Sequence, residues 1–438
     1  MLIKLEIKNW MSYRDSNSFS MIATQEKQHR DRLPLVKKYR SRLLPVTALY
    51  GGNASGKSNL IEALVFAKNL VVRGREVDSP IPVRPYLLNK EFAESPTHFH
   101  FEILAEDDTI YDYRFSVDQT NVVSESLTKI VSRAERPLYR RRAQGAIELP
   151  GFTGERKQFL RFAAKGTRSN QLFLHNSISQ GQEVFRPVYN WFRRALSISR
   201  ADNQFFSFGS DGPESKHPAM ERLISQLDTG IQEVGYVPSS LDAVPIPNDL
   251  KTSIVEDFPN PGRFVIGANS RFLISKRENE IEVKKLVSRH RTEEGSQVPF
   301  DFGDESDGSR RAFDLLPNFI DLMKPQSRRV FVIDELDRSL HTNLTKALLE
   351  GYLATCNPDS RSQLIFSTHD VMLMDQSFLR RDEMWISERS TRGDSSLISL
   401  SEYEGLRSDK DLRKSYLQGR FGGIPRIVLD IAGDLELG

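Results

Sequence analysis

Cysteine is all but missing from this chain: of its 438 residues only Cys356 carries a thiol. An internal disulfide and any multi-cysteine zinc site are thereby excluded, and the composition suits a reducing compartment. Long apolar runs are missing too, since no stretch approaches the roughly 20 apolar residues that a membrane helix needs. The opening MLIKLEIKNW alternates apolar and polar residues and lacks the apolar block of an export signal. A soluble, cytoplasmic protein without membrane contact is the expectation. Nor does one sign of charge dominate: 61 Lys plus Arg face 59 Asp plus Glu, a net of +2. Contact with nucleic acid or an anionic surface therefore has to come from a local patch. Sustained heptads and internal repeats are absent, which excludes a long coiled coil.

What is present is enough chain for a large core with an inserted subdomain. Ile3, Leu5 and Ile7 alternate with Lys4, Glu6 and Lys8, predicting an edge or half-exposed strand over 1–8. A basic, polar excursion over 25–42 leads to an apolar strand over 43–50. Leu60, Ile61, Leu64, Val65 and Leu70 then have the spacing of a helix over 59–72. From about residue 80 to 148 the period becomes two, as in Phe99-His100-Phe101-Glu102-Ile103, with Asp107-Asp108 as a hairpin turn; this predicts an antiparallel sheet. Helices broken by loops are expected over 167–210 and a Gly, Ser, Asp and Pro-rich linker over 208–218. Little regular structure is expected over 236–262, where Pro238, Pro245, Pro247, Pro259 and Pro261 fall. Strands over 263–275 and 280–290 and a helix over 310–323 follow. Two almost wholly apolar strands, 329–333 and 363–366, flank a helix over 343–355 and belong to a buried parallel sheet.

Gly51-Gly52-Asn53-Ala54-Ser55-Gly56-Lys57-Ser58 fits the Walker A spacing and lies between a predicted strand and a predicted helix, where such a loop has to lie. Its glycines let successive backbone N–H groups turn toward phosphate oxygens, and the helix N-terminus adds its dipole. ATP is the expected ligand of these eight residues and of Asn59. Lys57 is expected to reach the β and γ phosphates and the Ser58 hydroxyl to ligate Mg2+. The apolar strand over 330–333 ends in Asp334-Glu335, the form of a Walker B segment. Asp334 is expected to hold Mg2+ and Glu335 to polarise the attacking water. Read alone, the two acids would equally suit a solvated strand end; the glycine loop upstream decides for the functional reading. His369 follows the next buried strand, at the edge where parallel sheets place ligands, and can contact the γ-phosphate or the attacking water.

Glu305-Ser306-Asp307-Gly308-Ser309 opens a predicted helix. It resembles the signature motif of ABC ATPases, with Ser306 and Gly308 in the defining places. In that family the motif binds the γ-phosphate held by the other subunit through a hydroxyl, a glycine N–H and a helix N-terminus. Glu305 and Asp307 depart from it, and an acid near a phosphate is unfavourable unless it points away. Leu336-Asp337-Arg338-Ser339-Leu340-His341 stands where ABC proteins carry the D-loop, and Gln171, Gln180 and Gln182 are candidates for the Q-loop glutamine. His98 and His100 share a strand face but lack the partner spacing of a metal site, so they read as structural. Arg140-Arg141-Arg142 reads as a solvated loop or as a weak nucleic-acid patch.

Together with Ile7-Lys8-Asn9-Trp10-Met11-Ser12-Tyr13, Pro85-Tyr86-Leu87-Leu88 and Gly419-Arg420-Phe421-Gly422-Gly423-Ile424-Pro425, these motifs resemble SMC and RecF-type ATPases. They resemble more closely the smaller prokaryotic relatives in antiphage and abortive-infection systems, such as Septu and retron-associated ATPases, the PARIS ATPase and the AbiL type. The resemblance implies an α/β fold: an ABC-type P-loop ATPase head, with a mixed sheet, flanking helices and an antiparallel β subdomain, plus an inserted mainly helical subdomain. It divides the chain into an N-terminal lobe over 1–165, an inserted subdomain over 166–262 and a C-terminal lobe over 263–438. It also implies an ATP- and Mg2+-dependent ATPase that acts as a homodimer and gates a separate effector such as a nuclease. The alternative it leaves is a RecF-like repair ATPase that clamps DNA. A transporter subunit is usually much shorter, and the Asn-Lys-x-Asp segment of a GTPase is absent.

Overall fold

The computed structural model describes residues 1–131, 134–142, 146–200, 218–227, 229–248, 251–252, 262–266, 270–277, 280–403 and 411–424. The chain forms two compact units. The first comprises residues 1–199, 325–336 and 350–438, and the second comprises 200–324 and 337–349. The segments expected from sequence, 1–165, 166–262 and 263–438, cut across these units.

The first unit holds two six-stranded sheets. One runs in the spatial order Leu196–Ser199, Val330–Ile333, Gln363–Ser367, Val46–Tyr50, Met384–Arg389 and Ser395–Ser399. Its pairings are parallel except for the last, which is antiparallel. Every residue of the Val46–Tyr50, Val330–Ile333 and Gln363–Ser367 strands is buried, which is why they read as apolar runs without alternation. The second sheet is antiparallel, with the order Asn17–Ser20, Leu2–Lys8, Thr97–Leu104, Ile110–Val117, Val122–Val131 and Ala134–Arg141. Of the edge or half-exposed strand expected at 1–8, the half-exposed reading holds, with Lys4 and Glu6 partly exposed and Lys8 exposed, and the edge reading does not, since the strand is paired on both sides. Its apolar face, Leu2, Leu5 and Ile7, lies in the main core with Trp10, Phe99 and Phe101. Gln363 joins the sheets: its buried amide accepts Leu2 N–H at 2.7 Å and donates to Leu2 O and Leu44 O, both at 3.0 Å.

The expectation for 167–210 misses a strand. Helices Phe173–Ser179 and Arg186–Asn190 are present, but Leu196–Ser199 enters the parallel sheet beside Val330–Ile333. Four residues are too short for a periodicity signal. Glu125 seats the first of these helices. It is fully buried and accepts the Phe173 and Leu174 N–H groups at 2.6 and 3.0 Å and the Tyr113 and Tyr139 hydroxyls at 3.0 and 2.8 Å. It thereby satisfies two of the helix's orphan donors, while burial raises its own pKa.

The second unit is built on a sheet in the order Ile231–Ser239, Glu280–Arg291, Phe272–Arg277 and Gly262–Ile266, with Gln297–Asp301 also pairing to Glu280–Arg291. The strand expected over 263–275 is thus two strands of an antiparallel pair. Ile231–Ser239 is regular despite Pro238 and opens the stretch expected to be irregular. Long-range pairing there overrides what local proline content suggests. The linker expected over 208–218 lies, up to residue 217, outside the described residues. A 17-residue helix, Asp307–Met323, presents Asp314 to the guanidinium of Arg271 in a buried two-point ion pair.

Candidate nucleotide-binding site

The buried strand Val46–Tyr50 delivers the glycine loop, and the helix Lys57–Val72 leaves it with Leu60, Ile61, Leu64 and Leu70 in the core. Lys57 is itself buried, and its Nζ donates to Gly51 O at 2.7 Å and Gly52 O at 3.1 Å. The ammonium thus rests on the loop's own carbonyls. Ser58 is exposed at the first turn of the helix. Asn59 donates from Nδ2 to Ser12 Oγ at 2.7 Å, and its carbonyl accepts the Trp10 indole N–H at 2.8 Å.

Residues 53–59 line an open cleft of about 840 Å³ together with Glu335 and His369. Both come from C-terminal ends of adjacent parallel strands, the edge at which such sheets place ligands. Glu335 adopts a left-handed backbone, φ 51°, a conformation that costs a side-chain-bearing residue about 1 kcal/mol and gathers at functional sites. The turn is held by Ser367, whose Oγ receives Glu335 N–H at 2.8 Å and donates to Asp334 Oδ1 at 2.5 Å. Glu335 Oε1 lies 3.8 Å from His369 Nε2. The buried Asp334 precedes it, its N–H bonded to Ser199 O at 2.8 Å. A serine hydroxyl and an aspartate carboxylate are the hard oxygen donors that Mg2+ takes, so Ser58 and Asp334 fit that ion.

Met11 and Ser12, from the quoted segment Ile7 to Tyr13, also line the cleft, as do Arg84, Gln119 and Arg389, which carried no motif of their own. Gln119 sits in the turn joining Ile110–Val117 to Val122–Val131, where Asp118 Oδ1 accepts the N–H groups of Thr120 and Asn121. Gln171, Gln180 and Gln182, the glutamines singled out in sequence, do not line the cleft. The sequence reading names a hairpin turn at Asp107-Asp108 and none at 118–121, and the arrival of the latter at the glycine loop, far back along the chain, leaves no local signal.

In the second unit the helix Asp307–Met323 begins three residues earlier than its periodicity indicates, because Ser306 is its N-cap and accepts Ser309 N–H at 3.1 Å. Gly308 packs on the segment after Glu335: a Cβ there would stand 2.7 Å from Ser339 O. The two acids that depart from the signature are occupied. Glu305 turns to Ser288 Oγ and to His290 Nε2, and Asp307 pairs with Arg310.

The arginine run is divided by strand alternation. Arg140 and Arg142 are exposed, whereas Arg141 turns inward to the carbonyls of Gln171 at 2.7 Å, Arg168 at 3.1 Å and Ser169 at 3.2 Å. Three arginines therefore do not form one patch. His100 does have acidic neighbours, contrary to the sequence reading: Glu102 stands two residues along its own strand, and Asp112 and Glu6 come from the two strands beside it. Its Nε2 is 2.9 Å from Asp112 and 3.7 Å from Glu102, and its Nδ1 is 3.7 Å from Glu6. Lys4 and Arg114 pair with Glu6 and Asp112. A hydrogen bond from Ser16 is the main cause that holds Glu6 down at a pKa of about 2.

The family described as "AAA domain, putative AbiEii toxin, Type IV TA system" matches residues 46–375, three quarters of the chain. The chain belongs to this family. Its segment from the strand before the glycine loop to just past His369 is thus that of an AAA-domain P-loop ATPase. Among solved structures, the AAA-domain chain is similar to the SMC head domain from Thermotoga maritima. The identity is 14%, the coverage 91% of this chain and 98% of that one, and the TM-score 0.32. It is also similar to the recombination mediator protein RecF-ATP of the RecFOR pathway, at 12% identity, 91% and 97% coverage and a TM-score of 0.37. No curated protein matches the chain. No described helix is long and apolar enough to cross a membrane.

Proposed function

We propose that this protein binds and slowly hydrolyses ATP with Mg2+ in the cytoplasm, as the regulatory or sensor subunit of an antiphage, abortive-infection complex. ATP-dependent dimerisation of two heads gates a separate effector such as a nuclease. The observation that carries the reading is one cleft holding both the glycine loop and the Glu335–His369 pair, 3.8 Å apart. When MgATP binds, Lys57 exchanges the carbonyls of Gly51 and Gly52 for phosphate oxygens. Ser58 and Asp334 would hold Mg2+, which would supply neutralisation of phosphate charge. Glu335 orients the attacking water and accepts its proton, and His369 senses the γ-phosphate beside it. The capped helix start at Ser306 and Gly308, with both neighbouring acids engaged elsewhere, suits the γ-phosphate of a second copy. The family's own description, which names a putative AbiEii toxin and a Type IV TA system, supports a role beside a toxic effector. Co-purification with the product of the neighbouring gene tests it: the expected result is a complex whose effector activity changes with ATP, and an ATPase that neither binds that product nor alters its activity refutes it.

The exposed Arg140 and Arg142 favour a second reading, a RecF-like ATPase that clamps DNA when ATP closes the dimer. Its mark is ATP-dependent, salt-sensitive DNA binding; no affinity at low salt dismisses it.

A further inference from the structure

The glycine-rich segment 419–424 has no place in the mechanism above, yet it lies directly against the phosphate loop. Gly52 N–H donates to Gly423 O at 2.6 Å. The same carbonyl accepts the hydroxyl of Tyr416 at 2.9 Å, from the helix Leu412–Leu417. Two residues before Gly423, Phe421 is buried, and its carbonyl accepts Tyr403 Oη–H at 2.7 Å.

Between segment and loop runs the end of the strand Met384–Arg389, and both sides approach it closely. A Cβ on Gly51 would stand 2.3 Å from Ser387 O, and one on Gly423 would stand 2.6 Å from Ile386 Cγ2 and 3.3 Å from Ser387 O. Gly423 also has φ 69°, which L residues rarely adopt. Ser387 Oγ in turn donates to Ser55 O at 3.0 Å. The first peptide units of the glycine loop are therefore gripped from behind, at the residues whose carbonyls cradle Lys57.

We propose that Gly423, held by Tyr416, is a positioning residue for nucleotide binding: its carbonyl fixes the Gly51–Gly52 turn from which Lys57 is handed to the phosphates. It acts through Gly52 and Lys57 and touches neither nucleotide nor water. Fixing the turn in advance spares the nucleotide the entropy of ordering it. This inference rests on the ATP-binding reading above.

The test compares Tyr416→Phe and Gly423→Ala with the wild type for MgATP affinity, ATPase rate at saturating ATP and melting temperature without nucleotide. Wild-type affinity is measured first, so that absence of ATP binding there counts against the function itself and not against the clamp. The expected result is an ATP Kd raised about tenfold in Gly423→Ala and about threefold in Tyr416→Phe, as loss of one or two aligned hydrogen bonds implies. The saturated rate stays near wild type in both variants, and so does the nucleotide-free melting temperature of Tyr416→Phe, whereas Gly423→Ala, whose Cβ would meet Ile386, melts lower. MgATP should also slow backbone hydrogen exchange of the 416–424 peptide in the wild type, which a merely structural contact does not do. Unchanged Kd in both variants, a loss of affinity in Tyr416→Phe that only follows a lower melting temperature, or unchanged exchange overturns the proposal. If Gly423→Ala does not fold, Tyr416→Phe decides alone.

Discussion

Ser367 donates its hydroxyl to Asp334 at 2.5 Å and, through the same oxygen, receives the backbone N–H of Glu335 at 2.8 Å. One side chain thereby sets the rotamer of the expected Mg2+ ligand and stabilises the left-handed turn that aims the expected water-activating residue. Ser367→Ala should lower the ATPase rate about tenfold while changing ATP affinity by less than about threefold, since it disturbs geometry and leaves the phosphate-binding groups in place. Steady-state kinetics beside an equilibrium binding assay read the two effects; a matched loss in both contradicts the bridging role.

Glu335→Gln keeps the shape of the side chain but removes the proton acceptor. Hydrolysis should fall on the order of 10²-fold or more, with ATP still bound and a dimer accumulating in size-exclusion chromatography with light scattering. Lys57→Ala should instead abolish nucleotide binding, because the ammonium that meets the phosphates is gone. Wild-type turnover by Glu335→Gln would overturn its assignment.

Arg140 and Arg142 project to solvent and Arg141 does not. Any DNA binding should therefore weaken on Arg140→Glu and Arg142→Glu, and the salt dependence should become shallower by about one unit of slope for each phosphate no longer neutralised. Arg141→Glu should lower the melting temperature instead, by stranding the three carbonyls it caps. Fluorescence anisotropy across a salt series, set beside thermal melts, separates the two effects.

Glu125 accepts from four donors, two of them backbone N–H groups that cannot accept in return. Glu125→Gln replaces one accepting oxygen with an amide N–H2 and so sets donor against donor, which should cost about 3 kcal/mol. Urea unfolding measures it, and a variant as stable as the wild type would contradict the donor geometry.

Glu6 has its pKa depressed from 4.5 to about 2, first by the hydrogen bond from Ser16 and then by Lys4. A folded-state pKa below the unfolded one gives stability that is present above about 4.5 and is lost as pH falls toward 2. Ser16→Ala should therefore lower stability at pH 7, and its difference from the wild type should close as the pH falls toward 2. Circular dichroism melts between pH 2 and 7 give the comparison; a difference that stays constant across that range contradicts the linkage.

The sequence by itself determined what depends on neighbours along the chain. The octet 51–58, the strand ending in Asp334-Glu335 and the histidine after the next strand are local patterns, each a backbone path plus the side chains mounted on it, so their spacing was readable directly. So were three buried parallel strands, at 46–50, 330–333 and 363–367, because burial on both faces leaves an apolar run with no alternation. Only the tertiary structure decided which distant residues complete the cleft. Gln119 reaches it from a hairpin turn, the Gly423 carbonyl meets the Gly52 N–H behind the loop, and His100 finds two of its three acids on neighbouring strands. Strand pairing and close backbone approach leave no mark in local composition, because their free energy comes from partners remote along the chain. The division of Arg140, Arg141 and Arg142 between solvent and core was hidden for the same reason. Alternation fixes that adjacent residues face opposite ways; only packing fixes which face is inside.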